Sequence, residues 1–333
     1  KNLFMLIYFL ERLRKLLKSL GKKEKTINKF INYRKFKKNK SIYEIKNKSV
    51  DLYKDNNEKI KIAAIITFFF NKDKVSDLAK VCESLNNISD QNEIHIFTNN
   101  ISLDQAQKIK NEIKVKINLI IIDEPIHDRM LPWYHLNLMK KLFIVDDITH
   151  FLYLEDDILI DKSNFKYWLN SRKVLKEFNL IPGFVRVENN KSNNQLYAID
   201  FLKKSKLDFL PKIKVNNDYF FVNNEFPYQG MYLYDRELME EHLFGPSSNP
   251  DCGHGAFNTN FIDERMINLD LMAKANIGLT YINPPNTFLN RIVIPYDNKK
   301  KRIDPVCEIK HLSNRYANVD SSFGNIKIQE AIE

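Results

Sequence analysis

Apolar segments of strand length alternate with helical patterns in the first half of the chain. The segment 60–70 predicts a strand that is buried on both faces, and 93–100 and 116–122 predict two more strands. Between them, 75–85 and 103–113 carry apolar residues at helical spacing. Strands and helices that alternate in this order predict a parallel sheet with helices on both faces.

A further buried strand ends in a cluster of acids. Residues 151–154 are apolar or aromatic, and Glu155, Asp156 and Asp157 follow them directly. Consecutive carboxylates at the end of a buried strand are unfavourable unless a cation compensates them. Ligands of open α/β sheets gather at the carboxyl ends of strands, and carboxylate oxygens suit Mg²⁺ or Mn²⁺ with a phosphate group. The pattern therefore predicts a divalent metal that holds a diphosphate, and the alternative is a solvated turn with an acidic helix N-cap.

The pattern beyond the acids is less regular. It predicts a helix over 164–178, a short strand over 183–188, a helix over 259–275 and a last strand over 277–282. The segment 245–258 is rich in small residues, which indicates a flexible loop that can close over a ligand.

Composition argues against two common nucleotide-binding designs. The 333 residues include 8 Gly, and neither GxGxxG nor GxxxxGK[ST] occurs. A Rossmann dinucleotide site and a P-loop therefore lose their main support. The three cysteines, Cys82, Cys252 and Cys307, show no CxxC spacing, which fits free thiols in a reducing compartment.

The chain divides by charge into two predicted regions. Residues 1–58 predict a basic helical extension and a polar linker, and 59–333 predict the catalytic domain. The net charge is +10, and within the extension residues 3–23 combine Lys and Arg with an apolar run too short to span a membrane. Such an amphipathic helix can lie on an anionic membrane, and the alternative is that it packs on the domain or on a partner. We expect a cytoplasmic protein that is peripheral at the inner face of the membrane.

Several features follow one another in an order that is typical of one enzyme family. They are the TFFF strand and turn, the alternating α/β half, the EDD sequence at a strand end, a turn with Gly230, the acid-bearing FIDERM helix, and His311 in KHLSNRYA. The chain resembles GT-A-fold, metal-dependent nucleotide-sugar glycosyltransferases, and EDD is similar to the DxD motif of that family. The resemblance covers roughly 60–317. It implies a Rossmann-like, mostly parallel central sheet with helices on both faces.

The resemblance implies metal ligands. Asp157 is the expected direct ligand of Mn²⁺ or Mg²⁺, with Asp156 and His311 as further ligands. Glu155 or Asp156 would reach the ribose or a metal-bound water. The metal would neutralise the departing diphosphate. His254 is a rival of His311, because its flexible loop can bring it to the phosphates.

Other residues are expected to contact the donor. In the family, the turn after the first strand cups the nucleotide base, and Thr67, Phe68 and Asn71 lie at that place. Arg186 and Glu188 share one face of a predicted strand. Arg186 is expected to contact a phosphate or the acceptor, and the alternative is a buried ion pair.

The family often takes its general base from an acidic pair in a late helix. Asp263 and Glu264 lie at that position. Only one can face the pocket, because successive helical residues point about 100° apart. Glu264 is preferred, since Asp263 can pair with Arg265 or Arg236. The alternative is a salt-bridged helix surface.

These interpretations predict a glycosyltransferase that moves a sugar from a nucleotide-diphosphate donor, expected to be a UDP-sugar, to a saccharide or lipid-linked glycan. The reaction is expected to be metal-assisted and inverting, with an Asp or Glu base. One alternative is a metal-dependent nucleotidyl- or phosphotransferase, which would want a further acidic cluster and a Gly-rich loop. An alternative of another class is a basic nucleic-acid-binding module. The basic residues concentrate at the N-terminus rather than over the main fold, so no nucleic acid is expected.

Overall fold

The computed structural model describes residues 42–44, 51–52, 59–123, 128–145, 147–216, 218–250, 269–319 and 323–333. The strands in these ranges are β1 (Ile42–Glu44), β2 (Lys61–Phe68), β3 (Gln91–Asn99), β4 (Asn118–Ile122), β5 (His150–Glu155), β6 (Ile158–Leu159), β7 (Ile181–Pro182), β8 (Val185–Asn190), β9 (Gln195–Ala198), β10 (Lys212–Asn216), β11 (Tyr219–Asn223), β12 (Met231–Asp235), β13 (Ile292–Asp297), β14 (Arg302–Ile303), β15 (Glu308–His311) and β16 (Ile326–Lys327). The α-helices are α1 (Val75–Asn86), α2 (Leu103–Glu112), α3 (His135–Val145), α4 (Lys162–Leu175), α5 (Arg236–Phe244) and α6 (Leu271–Ile277).

The central sheet has the strand order β4-β3-β2-β5-β12. The first four strands are parallel to one another, and β12 is antiparallel to β5. Strand β2 is buried from Ile62 to Phe68, as its unbroken apolar run predicted. The predicted α/β fold with a mostly parallel central sheet is therefore confirmed.

The order of the strands reverses between β2 and β5. The chain passes from β2 through β3 to β4, and then returns to place β5 on the other side of β2. Right-handed crossovers therefore put α1 and α2 on one face of the sheet and α3 on the other. Ligands of such sheets bind at the carboxyl ends of the strands beside this switch point. Here those ends carry Thr67 and Glu155, which are partners in the strand register.

The helices begin at residues that can cap them. Ser102, Asp161, Asp235 and Asp270 each accept a backbone N–H from the first turn of α2, α4, α5 and α6, respectively. A side-chain cap of this kind contributes about 1 kcal/mol. At the start of α4, the Asp161 side chain accepts the Ser163 and Asn164 N–H groups. This cap starts α4 shortly after the acidic cluster.

A second sheet brings the later part of the chain to the acids. Its strand order is β16-β9-β8-β15-β6. Strand β6 begins directly after the acids and pairs with β15, so that Ile158 lies opposite His311. Strand β15 runs parallel to β8, which carries Arg186 and Glu188. The acids therefore lie where the chain leaves the central sheet and enters the second one.

A third sheet has the order β1-β10-β11-β13-β14, with β7 beside β13. Its strand β1 falls in the range that the sequence predicted to be linker. One continuous apolar core joins the three sheets. Cys82 and Cys307 are buried in this core as free thiols, whereas Cys252 lies outside the described residues.

The predicted strand over 277–282 is wrong. Ile277 ends α6, and turns follow it. The segment is apolar because it packs on the core, where the Tyr234 hydroxyl accepts the Leu279 N–H at 2.7 Å. A short apolar run does not distinguish a strand from other buried chain. Of the helix predicted over 259–275, residues 259–268 lie outside the described residues, and the described helix begins at Leu271 after its N-cap Asp270.

The predicted membrane-binding helix, residues 3–23, lies outside the described residues. In the part of the chain that the structure describes, no helix combines the length and the apolar character that crossing a membrane requires.

Candidate functional site

Glu155 is held on both oxygens by protein side chains. Its Oε1 accepts from the Tyr228 hydroxyl at 2.7 Å and from Asn276 Nδ2 at 2.5 Å, and its Oε2 accepts from Arg186 Nη1 at 3.3 Å. Arg186 also donates to both carboxylate oxygens of Asp200, at 2.9 and 2.7 Å. Because its acceptors are engaged within the protein, Glu155 acts as an anchor of the strand end.

Gly230 lets the backbone approach this anchor. Its φ is +64°, and a Cβ at this position would stand 2.8 Å from Glu155 Oε2. Its carbonyl accepts the Glu155 N–H at 3.0 Å. Both the left-handed backbone and the close contact require a residue without a side chain.

Asp157 is buried between two nitrogen groups. Its Oδ2 lies 3.4 Å from His311 Nε2 and 3.4 Å from Lys74 Nζ. Burial alone would raise the pKa of Asp157, but the attraction of His311 and Lys74 brings it below its ordinary value. Asp157 is therefore ionised at neutral pH.

Asp156 is the least compensated of the three acids. Its Oδ2 is buried and has no hydrogen-bond partner among the described residues, and Lys74 Nζ lies 3.7 Å away. Burial, with the charge of Asp157 beside it, raises the pKa of Asp156 to about 7. A buried carboxylate in this condition destabilises the free protein and has lone pairs to offer an incoming cation.

His311 reaches the acids from β15. Its Nδ1 bonds Glu188 Oε1 at 2.5 Å, and its Nε2 faces Asp157. The sequence left open a buried ion pair between Arg186 and Glu188. The structure gives these two residues different partners, since Arg186 bonds Asp200 and Glu155 while Glu188 bonds His311.

The residues predicted to contact the nucleotide lie at the end of β2. Thr67 is buried, and its Oγ1 lies 3.0 Å from the Tyr153 hydroxyl. The Phe68 side chain is fully buried in the core. Asn71 is exposed and accepts the Asp73 N–H at 3.0 Å. A contact from Thr67 or Phe68 to a nucleotide would therefore use backbone atoms.

Three of the predicted site residues, Asp263, Glu264 and His254, lie outside the described residues. Trp133 is buried and donates its Nε1–H to the Leu271 carbonyl at 2.8 Å.

The site also contains residues that the sequence analysis did not assign to it. Lys74, Asp200, Tyr228 and Asn276 all lie within one or two contacts of the acids. Lys74 had a signal, because it follows the first strand in the turn already expected to face the donor. Asp200 and Tyr228 stand in irregular segments, and Asn276 lies in the short helix α6, so no periodicity marks them as site residues.

The residues present fit a divalent cation. Asp156 and Asp157 supply carboxylate oxygens of the kind that Mg²⁺ and Mn²⁺ prefer, and Asp156 Oδ2 is an unused acceptor. The described residues contain no group of three or more His, Cys, Asp or Glu side chains that forms a metal site by itself. These ions commonly bind through one or two carboxylates and complete their shell with water and phosphate oxygens.

Comparisons with known proteins give only weak likenesses. No protein-family model matches the chain, and no curated protein does. Among solved structures, a cytidylyltransferase from Leptospira borgpetersenii matches at 12% identity and a TM-score of 0.30, over 55% of this chain and 63% of that one. An active-site mutant of LgtC matches at 13% identity and a TM-score of 0.27, over 53% of this chain and 57% of that one. A 4-diphosphocytidyl-2C-methyl-D-erythritol synthase from Anaerococcus prevotii matches at 14% identity and a TM-score of 0.29, over 63% of this chain and 81% of that one.

The chain spans less than two thirds of the length of the first two of these structures. Likenesses at this level do not assign a family. The fold stands on the strand order and register of the protein itself.

Proposed function

We propose that the chain is a metal-dependent glycosyltransferase that moves a sugar from a nucleoside diphosphate donor, a UDP-sugar, to a saccharide or lipid-linked glycan. The observation that carries this is Asp156, a buried carboxylate whose Oδ2 has no hydrogen-bond partner among the described residues and which lies beside the switch point of the sheet. Groups with perturbed pKa values of this kind cluster at functional sites. A divalent cation with a diphosphate supplies the missing compensation where ligands of such sheets bind.

In this proposal Asp157, Asp156 and His311 would hold Mn²⁺ or Mg²⁺, which would supply positive charge to offset that of the departing diphosphate. Lys74, whose Nζ lies 3.4 and 3.7 Å from the two aspartates, donates to phosphate oxygens beside them. Of Glu155 and Asp156, which were both expected to reach the ribose or a metal-bound water, Asp156 is the one proposed, because protein side chains already bond both Glu155 oxygens.

Glu264 is the proposed general base, with Asp263 as its alternative. The base takes the acceptor proton as the sugar is attacked from the face opposite the diphosphate, which inverts the anomeric centre. The basic segment 3–23 is proposed to hold the enzyme at the anionic inner face of the membrane, where a lipid-linked acceptor is available.

A thermal-shift panel tests the donor and the metal together. UDP, CDP, GDP and ADP are each added with and without Mn²⁺. UDP with Mn²⁺ is expected to stabilise the protein more than the other nucleotides do. At 100 times its Kd, a ligand that binds only the folded state stabilises it by about 2.7 kcal/mol. Asp157→Asn, which keeps the shape and removes the charge, should lose the Mn²⁺-dependent part. Equal shifts with and without Mn²⁺ contradict the proposal.

Product analysis separates the two enzyme classes. Incubation of UDP-sugars with Mn²⁺ and a glycan acceptor should release UDP and extend the acceptor. Release of pyrophosphate from UTP and a sugar phosphate, without release of UDP, would instead support the nucleotidyltransferase alternative.

A further inference from the structure

Glu188 is a fully buried carboxylate on β8, with 0% of its side chain exposed. Its Oε1 accepts from His311 Nδ1 at 2.5 Å and from the Arg315 N–H at 3.1 Å, and its Oε2 accepts from the Ala317 N–H at 2.7 Å. Each of its two oxygens therefore acts as the acceptor of a backbone N–H.

This carboxylate decides which ring nitrogen of His311 carries the proton. Because each Glu188 oxygen already accepts a backbone N–H, the carboxylate acts as an acceptor, and Nδ1 of His311 is the donor to it. In the neutral ring, Nε2 then keeps its lone pair. Nε2 lies 3.4 Å from Asp157 Oδ2, at the acids. The ring also stacks on Tyr316, with 5.7 Å between centroids, which holds its plane.

We propose that Glu188 is a positioning residue that presents the Nε2 lone pair of His311 to a divalent cation beside Asp157. The inference rests on the proposed metal-dependent transfer and adds the group that orients the metal ligand. A carboxylate behind a ligating histidine fixes the tautomer and the ring, and its loss typically lowers metal affinity 10–100-fold. Ser313 Oγ also lies 3.1 and 3.2 Å from the two ring nitrogens. A hydroxyl can donate or accept, so it does not select a tautomer.

The first measurement uses the unmodified, metal-free protein. Long-range ¹H–¹⁵N spectra of ¹⁵N-histidine-labelled protein report which ring nitrogen is protonated, and His311→Gln identifies the resonances of His311 among the seven histidines. The neutral ring should carry its proton on Nδ1. A neutral ring that is protonated on Nε2 overturns the proposal.

The second measurement compares variants by the same spectra and by calorimetric titration with Mn²⁺. Glu188→Gln introduces an amide donor, so the His311 proton should move to Nε2 and the Mn²⁺ affinity should fall about 10–100-fold. Glu188→Asp keeps the carboxylate and should retain the Nδ1–H tautomer. Ser313→Ala is the control and should keep both the tautomer and the affinity.

The outcomes separate this inference from the proposed function. A parent protein that does not bind Mn²⁺ refutes the metal-dependent function and the inference with it. A parent that binds Mn²⁺ while Glu188→Gln binds it equally well overturns the positioning role alone.

Discussion

Substitution of two adjacent aspartates by asparagine should change the stability of the metal-free protein in opposite directions. Burial raises the pKa of Asp156 from its ordinary 3.8 to about 7, whereas His311 and Lys74 outweigh burial at Asp157 and lower its pKa. A raised pKa in the folded state means that ionisation opposes folding. The contribution of Asp156 to the stability of the folded state is most favourable below about pH 4 and is lost as the pH rises through about 7. The contribution of Asp157 has the opposite sign and is lost as the pH falls through its lowered pKa.

The magnitudes follow from the size of the shift. A rise of about 3 pKa units corresponds to about 4 kcal/mol at 1.36 kcal/mol per unit. Because Asp156 and Asp157 titrate together, part of this belongs to the pair. Asp156→Asn should therefore increase the free energy of unfolding by about 2–4 kcal/mol at pH 8 and have little effect at pH 4. Asp157→Asn should decrease it by about 2–3 kcal/mol at pH 8, because it breaks the partly buried ion pair with Lys74.

Urea unfolding in EDTA at pH 4 and pH 8 measures both effects, with near-ultraviolet circular dichroism as the check on the native state. Added Mn²⁺ at pH 8 should stabilise the parent and leave Asp156→Asn unchanged. The reasoning fails if Asp156→Asn destabilises the protein at pH 8, or if its gain in stability is the same at both pH values. Either result would mean that groups of the metal-free protein already stabilise the ionised carboxylate of Asp156.

Three further predictions concern the base, the lysine and the N-terminal segment. Glu264→Gln should keep UDP-sugar and Mn²⁺ binding and reduce the rate of transfer about 10²–10⁴-fold, and Asp263→Asn should have a milder effect. The reverse order of effects would move the base to Asp263. Near-parental rates in both variants would favour a retaining mechanism. Lys74→Met should tighten Mn²⁺ binding about fivefold by calorimetry, equivalent to ~1 kcal/mol, because it removes a competing ammonium; weaker binding would argue against this competition. A chain that starts at residue 60 should lose binding to anionic liposomes and keep donor binding, and equal liposome binding would leave residues 3–23 a packing role.

Local patterns were enough to predict the α/β half of the fold. The apolar run of β2 and the helical spacing in α1 each report burial of the segment itself, so periodicity alone identified them. The segment 277–282 shows where this fails. It is apolar because it packs on the core, and its Leu279 N–H bonds a tyrosine hydroxyl rather than a neighbouring strand.

The site was predictable only in part, for a related reason. Three acids at the end of a buried strand are a local signal, and the sequence placed the acids correctly at the carboxyl end of β5. Asn276 bonds Glu155 across 121 residues and Tyr228 does so across 73. Such contacts depend on how the three sheets meet, and no spacing along the chain encodes that. Glu188 stood out as an acid within an apolar strand, but its partner His311 was not predictable from that strand.

The C-terminal segment 311–317 supplies groups that stabilise the buried carboxylates of Asp157 and Glu188. Glu188 meets His311 across 123 residues and the Ala317 N–H across 129. Contacts at such separations form late, because a long loop must close before they can form. During synthesis the N-terminal part emerges first, so Asp157 and Glu188 lack these partners until residue 317 has left the ribosome. In a chain that stops before His311, Glu188 loses all three of its donors, while Asp157 loses His311 and keeps Lys74. We expect such a fragment to be destabilised strongly, although it contains most of the residues of the fold.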